Sequence, residues 1–204
     1  SQFMQAPRID HMEAAKWVLR YIKGTPGQGI LLRSDSDLNI VAFCDSDWGA
    51  CPLTRKSISG YFISLGGSPI SWRTKKQTKV SRSSAEAEYR AMATVTSDLL
   101  WIKSFLTSLR VFPTQPMQLY CDNQAALHIS KNPIFHERTK HIEMDCHFIR
   151  ERLLSGELVT RYISSRNQVA DIFTKALGKQ PFFFLKTKLG MVDPHAPTCG
   201  GVIK

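Results

Sequence analysis

No stretch of this sequence approaches the ~20 consecutive apolar residues that span a bilayer, so no membrane span is expected, and no secretory signal is evident. Cys-x-x-Cys pairs are absent as well. The five cysteines, Cys44, Cys51, Cys121, Cys146 and Cys199, are odd in number and irregularly spaced, which argues against a disulfide framework and for reduced thiols in an intracellular protein. Acid is scarce: 17 Asp and Glu face 27 Lys and Arg, a formal charge of +10. Such a surplus attracts polyanions, nucleic acid being the simplest, with plain solubility as the competing explanation. An initiator methionine is lacking too, and Ser1-Gln2-Phe3 reads as the start of a piece of a longer polypeptide.

What is present fills one domain, with roughly 40 to 60 residues to spare. The first segment, 1–38, reads as a connector. Asp10 with Glu13 looks like a helix cap, Met12, Ala15, Val18, Leu19 and Ile22 recur at helical spacing, and Gly24 and Pro26 stop the helix before a short strand at Ile30–Arg33. The main domain opens with the apolar run Ile40-Val41-Ala42-Phe43-Cys44, a buried strand that delivers Asp45 at its end. A carboxylate there is partly desolvated and calls for a cation or donor, which makes Asp45 a candidate metal ligand. Ser57–Leu65 and Pro69–Arg73, joined through Gly66-Gly67, read as two more strands of an antiparallel meander.

A long helix from about Ser83 to Leu109 follows. Its stripe Met92, Val95, Leu99, Ile102 and Leu106, counted back four residues, lands on Glu88, so Glu88 points to the core while Glu86 serves the helix start. Met117–Cys121 is a fourth strand, and Asp122 at its end reads either as a helix cap or as a second strand-end acid adjacent to Asp45. A helix over 142–154, a fifth strand over 157–163 and a helix over 167–177 complete the domain. Asp171 lies off that last helix's apolar face, and its spacing alone fits an ordinary exposed residue. The tail 181–204 carries Phe182-Phe183-Phe184-Leu185, apolar enough to need a partner surface. His136, His141, Asp145 and His147 invite a zinc reading, but neither a Cys pair nor a third closely spaced ligand completes a site; packing and phosphate contacts from Arg138 and Lys140 fit better.

The words Phe43-Cys44-Asp45-Ser46-Asp47-Trp48, Ser83-Ser84-Ala85-Glu86-Ala87-Glu88-Tyr89, Cys121-Asp122-Asn123-Gln124, His136-Glu137-Arg138-Thr139-Lys140-His141-Ile142 and Ala170-Asp171-Ile172-Phe173-Thr174-Lys175 resemble the ribonuclease H region of copia-type retrotransposon Pol polyproteins. Leu19–Thr25 is similar to the segment joining reverse transcriptase to ribonuclease H in that family. The resemblance implies an α/β ribonuclease H-like fold: a five-stranded mixed sheet, three strands antiparallel and the rest parallel, flanked by helices. Its domains would be a connector at 1–38, the nuclease at 39–180 and a tail at 181–204.

The implied activity is metal-dependent hydrolysis of the RNA strand of RNA/DNA hybrids. Two Mg²⁺ ions, replaceable by Mn²⁺, would be held by Asp45, Glu88, Asp122 and Asp171. For Asp171 only the resemblance speaks. Ser46, Ser84, Asn123 and Gln124 are then candidates for reading 2′-hydroxyls, and Arg73, Lys75, Lys76 and Lys79 for phosphates. Arg166 stands in a loop where cellular relatives often carry a histidine and is a candidate for part of its role. The implied partners are the hybrid and the upstream reverse transcriptase of the same polyprotein, in an intracellular, cytoplasmic, virus-like-particle setting without membrane contact. Two alternatives remain: a nucleic-acid-binding domain whose catalysis is dispensable, or a nuclease of the same fold acting on DNA structures.

Overall fold

The structure, a computed structural model, describes residues 3–132 and 142–193. In chain order the elements are α1 (Ile9–Lys23), β1 (Gly29–Ile30), β2 (Ile40–Asp47), β3 (Ile58–Leu65), β4 (Ser68–Lys76), α2 (Ser84–Ser108), β5 (Met117–Cys121), α3 (Gln124–Lys131), α4 (Glu143–Leu154), β6 (Leu158–Tyr162), α5 (Lys179–Lys188) and β7 (Met191–Val192). Two compact units result, one of residues 31–190 and a smaller one of residues 3–30 with 191–193. The larger unit takes in residues 31–38 and 181–190, which flank the domain expected from the sequence. Arg138, Lys140, His136 and His141 lie outside the described residues.

The larger unit is built on a five-stranded sheet in the order β4-β3-β2-β5-β6. β2, β3 and β4 pair antiparallel as the tight connections require, and β5 and β6 add parallel to β2, as expected. Alternation decides what each strand contributes. Ile40, Ala42 and Cys44 of β2 and Met117, Leu119 and Cys121 of β5 are buried in one core with Met92, Val95, Leu99, Ile102 and Leu106 of α2. The stripe that places Glu88 toward the core is therefore the packed face of α2, and Glu88 is buried beside it. Ser83 caps that helix by accepting from the Glu86 amide, and Glu86 accepts from the Arg82 amide and pairs with Arg90 at 2.8 Å.

Three local expectations differ from what is observed. α1 starts at Ile9, with Arg8 and not Asp10 at the cap, because the His11 ring accepts from the Arg8 amide and takes the capping role. The strand expected over Ile30–Arg33 is confined to Gly29–Ile30, where β7 is there to pair with it. The helix expected over 167–177 is replaced by two short 3₁₀ segments, Ser165–Asn167 and Val169–Phe173. At three residues per turn, Gln168, Asp171 and Thr174 fall on one line, and all three are buried. A 3.6-residue count puts Asp171 on an open face instead.

Candidate metal centre

Parallel pairing of β2 with β5 brings the two strand-end acids together. Phe43 stands opposite Tyr120, so Asp45 and Asp122, each two residues further on, come side by side where the β2–β5 pairing ends, with Asp45 still paired to β3. This is the end at which sheets with parallel strands place their ligand crevices. Asp122 does not cap α3: the Asn123 side chain does, accepting from the Ala126 amide at 3.0 Å. The Asp122 carboxylate is left to face the crevice, where Ser165 Oγ donates to it at 2.8 Å.

Asp171 arrives from the opposite direction. Gln168, fully buried, donates from Nε2 to the Cys44 carbonyl at 2.9 Å and accepts the Ala170 amide, which ties the 3₁₀ segment to the strand carrying Asp45. Gly60 lies opposite Asp45 in β3, and a methyl group there would meet Phe173 Cβ at 2.8 Å and Thr174 Cγ2 at 2.7 Å. Only glycine allows so close an approach. Carboxylate oxygens of Asp45, Asp122 and Asp171 consequently lie within 4.8 Å of one another. Glu88, Cys121 and Asp122 form a second such group. Asp122 belongs to both, so all four sequence-predicted acids join in one cluster.

Two cations compete for this cluster's description, one present and one implied. Lys175 Nζ lies 2.8 Å from Asp171 and 3.1 Å from Asp45, and Thr174 Oγ1 donates to the other Asp45 oxygen. Neither residue stands out as a site residue in the sequence, although Asp171 and Lys175 have the i, i+4 spacing of an ion pair. Burial works against the Lys175 charge, yet its bonds to Asp171 and the charge of Asp45 hold its pKa above the ordinary value. Glu88 has no such partner. Its Oε1 accepts from the Ser46 amide at 3.0 Å and its Oε2 from the Cys121 thiol at 3.8 Å, and among the described residues no Lys or Arg pairs with it. Burial first, then Cys121 and Asp45, push Glu88 up to about 11. Burial likewise raises Asp171 to about 6, against the pull of Lys175. A buried carboxyl that cannot ionise without a counter-charge, beside three further carboxylates, is a donor set suited to hard divalent cations.

These shifts set a pH dependence. In both cases the folded value lies above the ordinary one, so across the interval between them the native chain binds a proton that the unfolded chain has released. Metal-free stability is expected to fall as pH rises, from the ordinary carboxylate range to about 6 for Asp171 and on toward about 11 for Glu88. Urea denaturation in chelator should give a lower midpoint at pH 8 than at pH 5. Saturating Mg²⁺ should narrow or reverse that difference, since it binds the deprotonated ligands. A metal-free midpoint that climbs with pH contradicts this account.

The described residues expected to touch substrate differ in exposure and in the partners they already have. Ser84 and Gln124 are exposed near the helix starts, while Ser46 is buried and accepts from Gln77 Nε2 at 3.2 Å. Asn123 commits its oxygen to the cap and keeps its amide nitrogen for other contacts. Arg73 and Lys75 are exposed on β4 and, with Lys76 and Lys79, line a groove of about 860 Å³ between β4, α2 and α4. Ser59, which stands opposite Ser46 in the sheet, lines the same groove, as do Glu143 and Asp145 of α4. Arg166 is exposed on the first 3₁₀ segment, next to Ser165, which touches Asp122. His147 is exposed, and neither ligand group among the described residues includes it.

The chain is 44% identical over all 204 residues to the retrovirus-related Pol polyprotein from transposon RE2 of Arabidopsis thaliana. It is 37% identical over 191 residues, 94% of the chain, to that from transposon TNT 1-94 of Nicotiana tabacum. Its homologues are copia-type retrotransposon Pol polyproteins. It spans about 14% of the length of each of those two relatives. No family model matches. Among solved structures it is similar to the LC11 RNase H1 isolated from compost, with 18% identity, 67% of this chain and 93% of that one covered, and a TM-score of 0.48. The mixed sheet, with β2–β4 antiparallel and β5 and β6 parallel, flanked by helices, has the strand arrangement expected from the sequence. No helix among the described residues of this Pol homologue is long and apolar enough to cross a membrane.

Proposed function

We propose that this segment of a Pol polyprotein is a divalent-metal-dependent endonuclease that hydrolyses the RNA strand of RNA/DNA hybrids. The observation that carries the proposal is the convergence of Asp45, Glu88, Asp122 and Asp171, from four separate places in the chain, on one crevice at the end of β2 and β5. These four would hold two Mg²⁺ ions, whose chemistry is to lower the pKa of an attacking water and to offset charge on the scissile phosphate. The protein's own work is to fix the acids. The Ser46 amide orients Glu88, Ser165 orients Asp122, and Thr174 orients Asp45. Gln168 locks the segment bearing Asp171 onto β2. Ser84, Gln124 and the Asn123 amide are candidates to read 2′-hydroxyls along the shallow groove of the duplex. Arg73, Lys75, Lys76 and Lys79, which line one groove, are the candidates to contact phosphates.

The smaller unit fits a connector to an upstream reverse transcriptase. Its helix α1 buries no residue, and Met12, Trp17, Val18, Leu19 and Ile22 are all more than half exposed. Such an apolar surface calls for a partner outside the described residues.

The test is to incubate the protein with Mg²⁺ or Mn²⁺ and, in parallel, an RNA/DNA hybrid, double-stranded RNA and a four-way DNA junction, with Asp122→Asn as control. Cleavage of the hybrid alone, abolished in the variant, is the expected result. Junction cleavage would move the function to DNA structures, and no cleavage would leave a binding module. The phosphate contacts are tested separately, because a duplex bound by one fewer lysine releases about one fewer counterion. Lys75→Ala is expected to weaken hybrid binding and to reduce the slope of log K against log salt by about one. An unchanged slope removes Lys75 from the interface.

A further inference from the structure

The two halves of the acidic cluster are not equivalent. On one side Asp45 and Asp171 share the Lys175 ammonium, at 3.1 and 2.8 Å. On the other, Glu88 and Asp122, with the Cys121 sulfur beside them, face no ammonium or guanidinium among the described residues. Asp45 is 1% exposed, whereas the Lys175 side chain is 35% exposed and reaches inward from the rim of the crevice. A lysine ammonium is a compact point charge on a flexible four-carbon stem, able to leave without moving the backbone. Its two charge-assisted bonds compensate carboxylates that would otherwise be buried and repel one another.

We propose that Lys175 is a resident counter-cation: a positioning residue that holds Asp45 and Asp171 together in the metal-free protein and must swing out before a divalent ion can take that half of the site. The inference rests on the nuclease reading and deepens it, since it makes the two ion positions unequal. The Glu88 and Asp122 side accepts an ion without displacing a side-chain ammonium. The Asp45 and Asp171 side accepts one only in exchange for Lys175, and a phosphate of an arriving nucleic acid is a ready destination for the released ammonium. No covalent step is involved.

The experiment reads ion binding and not cleavage. Calorimetric titration of Mg²⁺ into wild type, Lys175→Met and Lys175→Arg is expected to show roughly tenfold tighter binding, or an additional ion bound, in the Met variant only. The metal-free Met variant should also unfold at a lower temperature than wild type and regain more of that deficit on adding Mg²⁺. In wild type, the side-chain ¹⁵N signal of Lys175 should be protected from exchange in chelator and give up that protection as Mg²⁺ is added. This last measurement decides the matter if the Met variant does not fold. Equal affinity and stoichiometry in wild type and Lys175→Met, or a Lys175 signal indifferent to saturating Mg²⁺, overturns the proposal. A wild-type protein that binds no divalent ion sinks the nuclease reading itself.

Discussion

Asp45→Asn is expected to reduce hybrid cleavage by about 10³-fold or more, equivalent to roughly 4 kcal/mol of transition-state stabilisation. Asp45 is almost fully buried, shares Lys175 with Asp171, and accepts from Thr174. The substitution keeps its shape and removes its charge. Circular dichroism should therefore be unchanged, while the cation requirement for activity disappears along with the activity. An Asn variant that cuts the hybrid within about tenfold of wild type would show that the acids do not act together.

A second large effect is expected far from any charge. Gly60→Ala inserts a methyl group where Phe173 Cβ and Thr174 Cγ2 already lie within 2.8 Å of its position. The 3₁₀ segment must retreat from β3, carrying Asp171, Thr174 and Lys175 with it. Overpacking of this kind costs about 1–3 kcal/mol, and a displacement of about 1 Å at the catalytic groups costs about 10²-fold in rate. The expected result is a lowered unfolding midpoint together with a fall in kcat larger than any change in KM. Gly67→Ala is the control: Gly67 has φ +77° but nothing within 4 Å of a methyl group there, so backbone strain is added without reaching the site. Equal kinetics for Gly60→Ala and wild type would mean that the segment adjusts without consequence.

The parts of the centre that are readable in the sequence are those carried by regular periodicity. The unbroken apolar run that leads to Asp45 marks a buried strand, and the stripe leading back to Glu88 is a period-3.6 pattern; burial has to respect both. Asp122 follows from being the end of a neighbouring strand, although its neighbour Asn123 is the cap. Asp171 is opaque because its segment turns at three residues and not at 3.6, which reverses which face is inside. Gln168 and Gly60 are opaque for another reason. Each matters through an approach to a distant part of the chain, Gln168 to Cys44 and Gly60 to Phe173 and Thr174, and no local pattern carries that information. The spacing of Lys175 from Asp171 is visible in the sequence, but only the fold places Asp45 on its other side.

Gly29–Ile30 pairs antiparallel with Met191–Val192, more than 160 positions further along the chain. During translation the first of these strands emerges early and waits through synthesis of the whole sheet before its mate leaves the ribosome. A chain cut short anywhere before Met191 therefore has an early strand with an open edge. Closure of that small ribbon has to follow synthesis of every strand of the sheet.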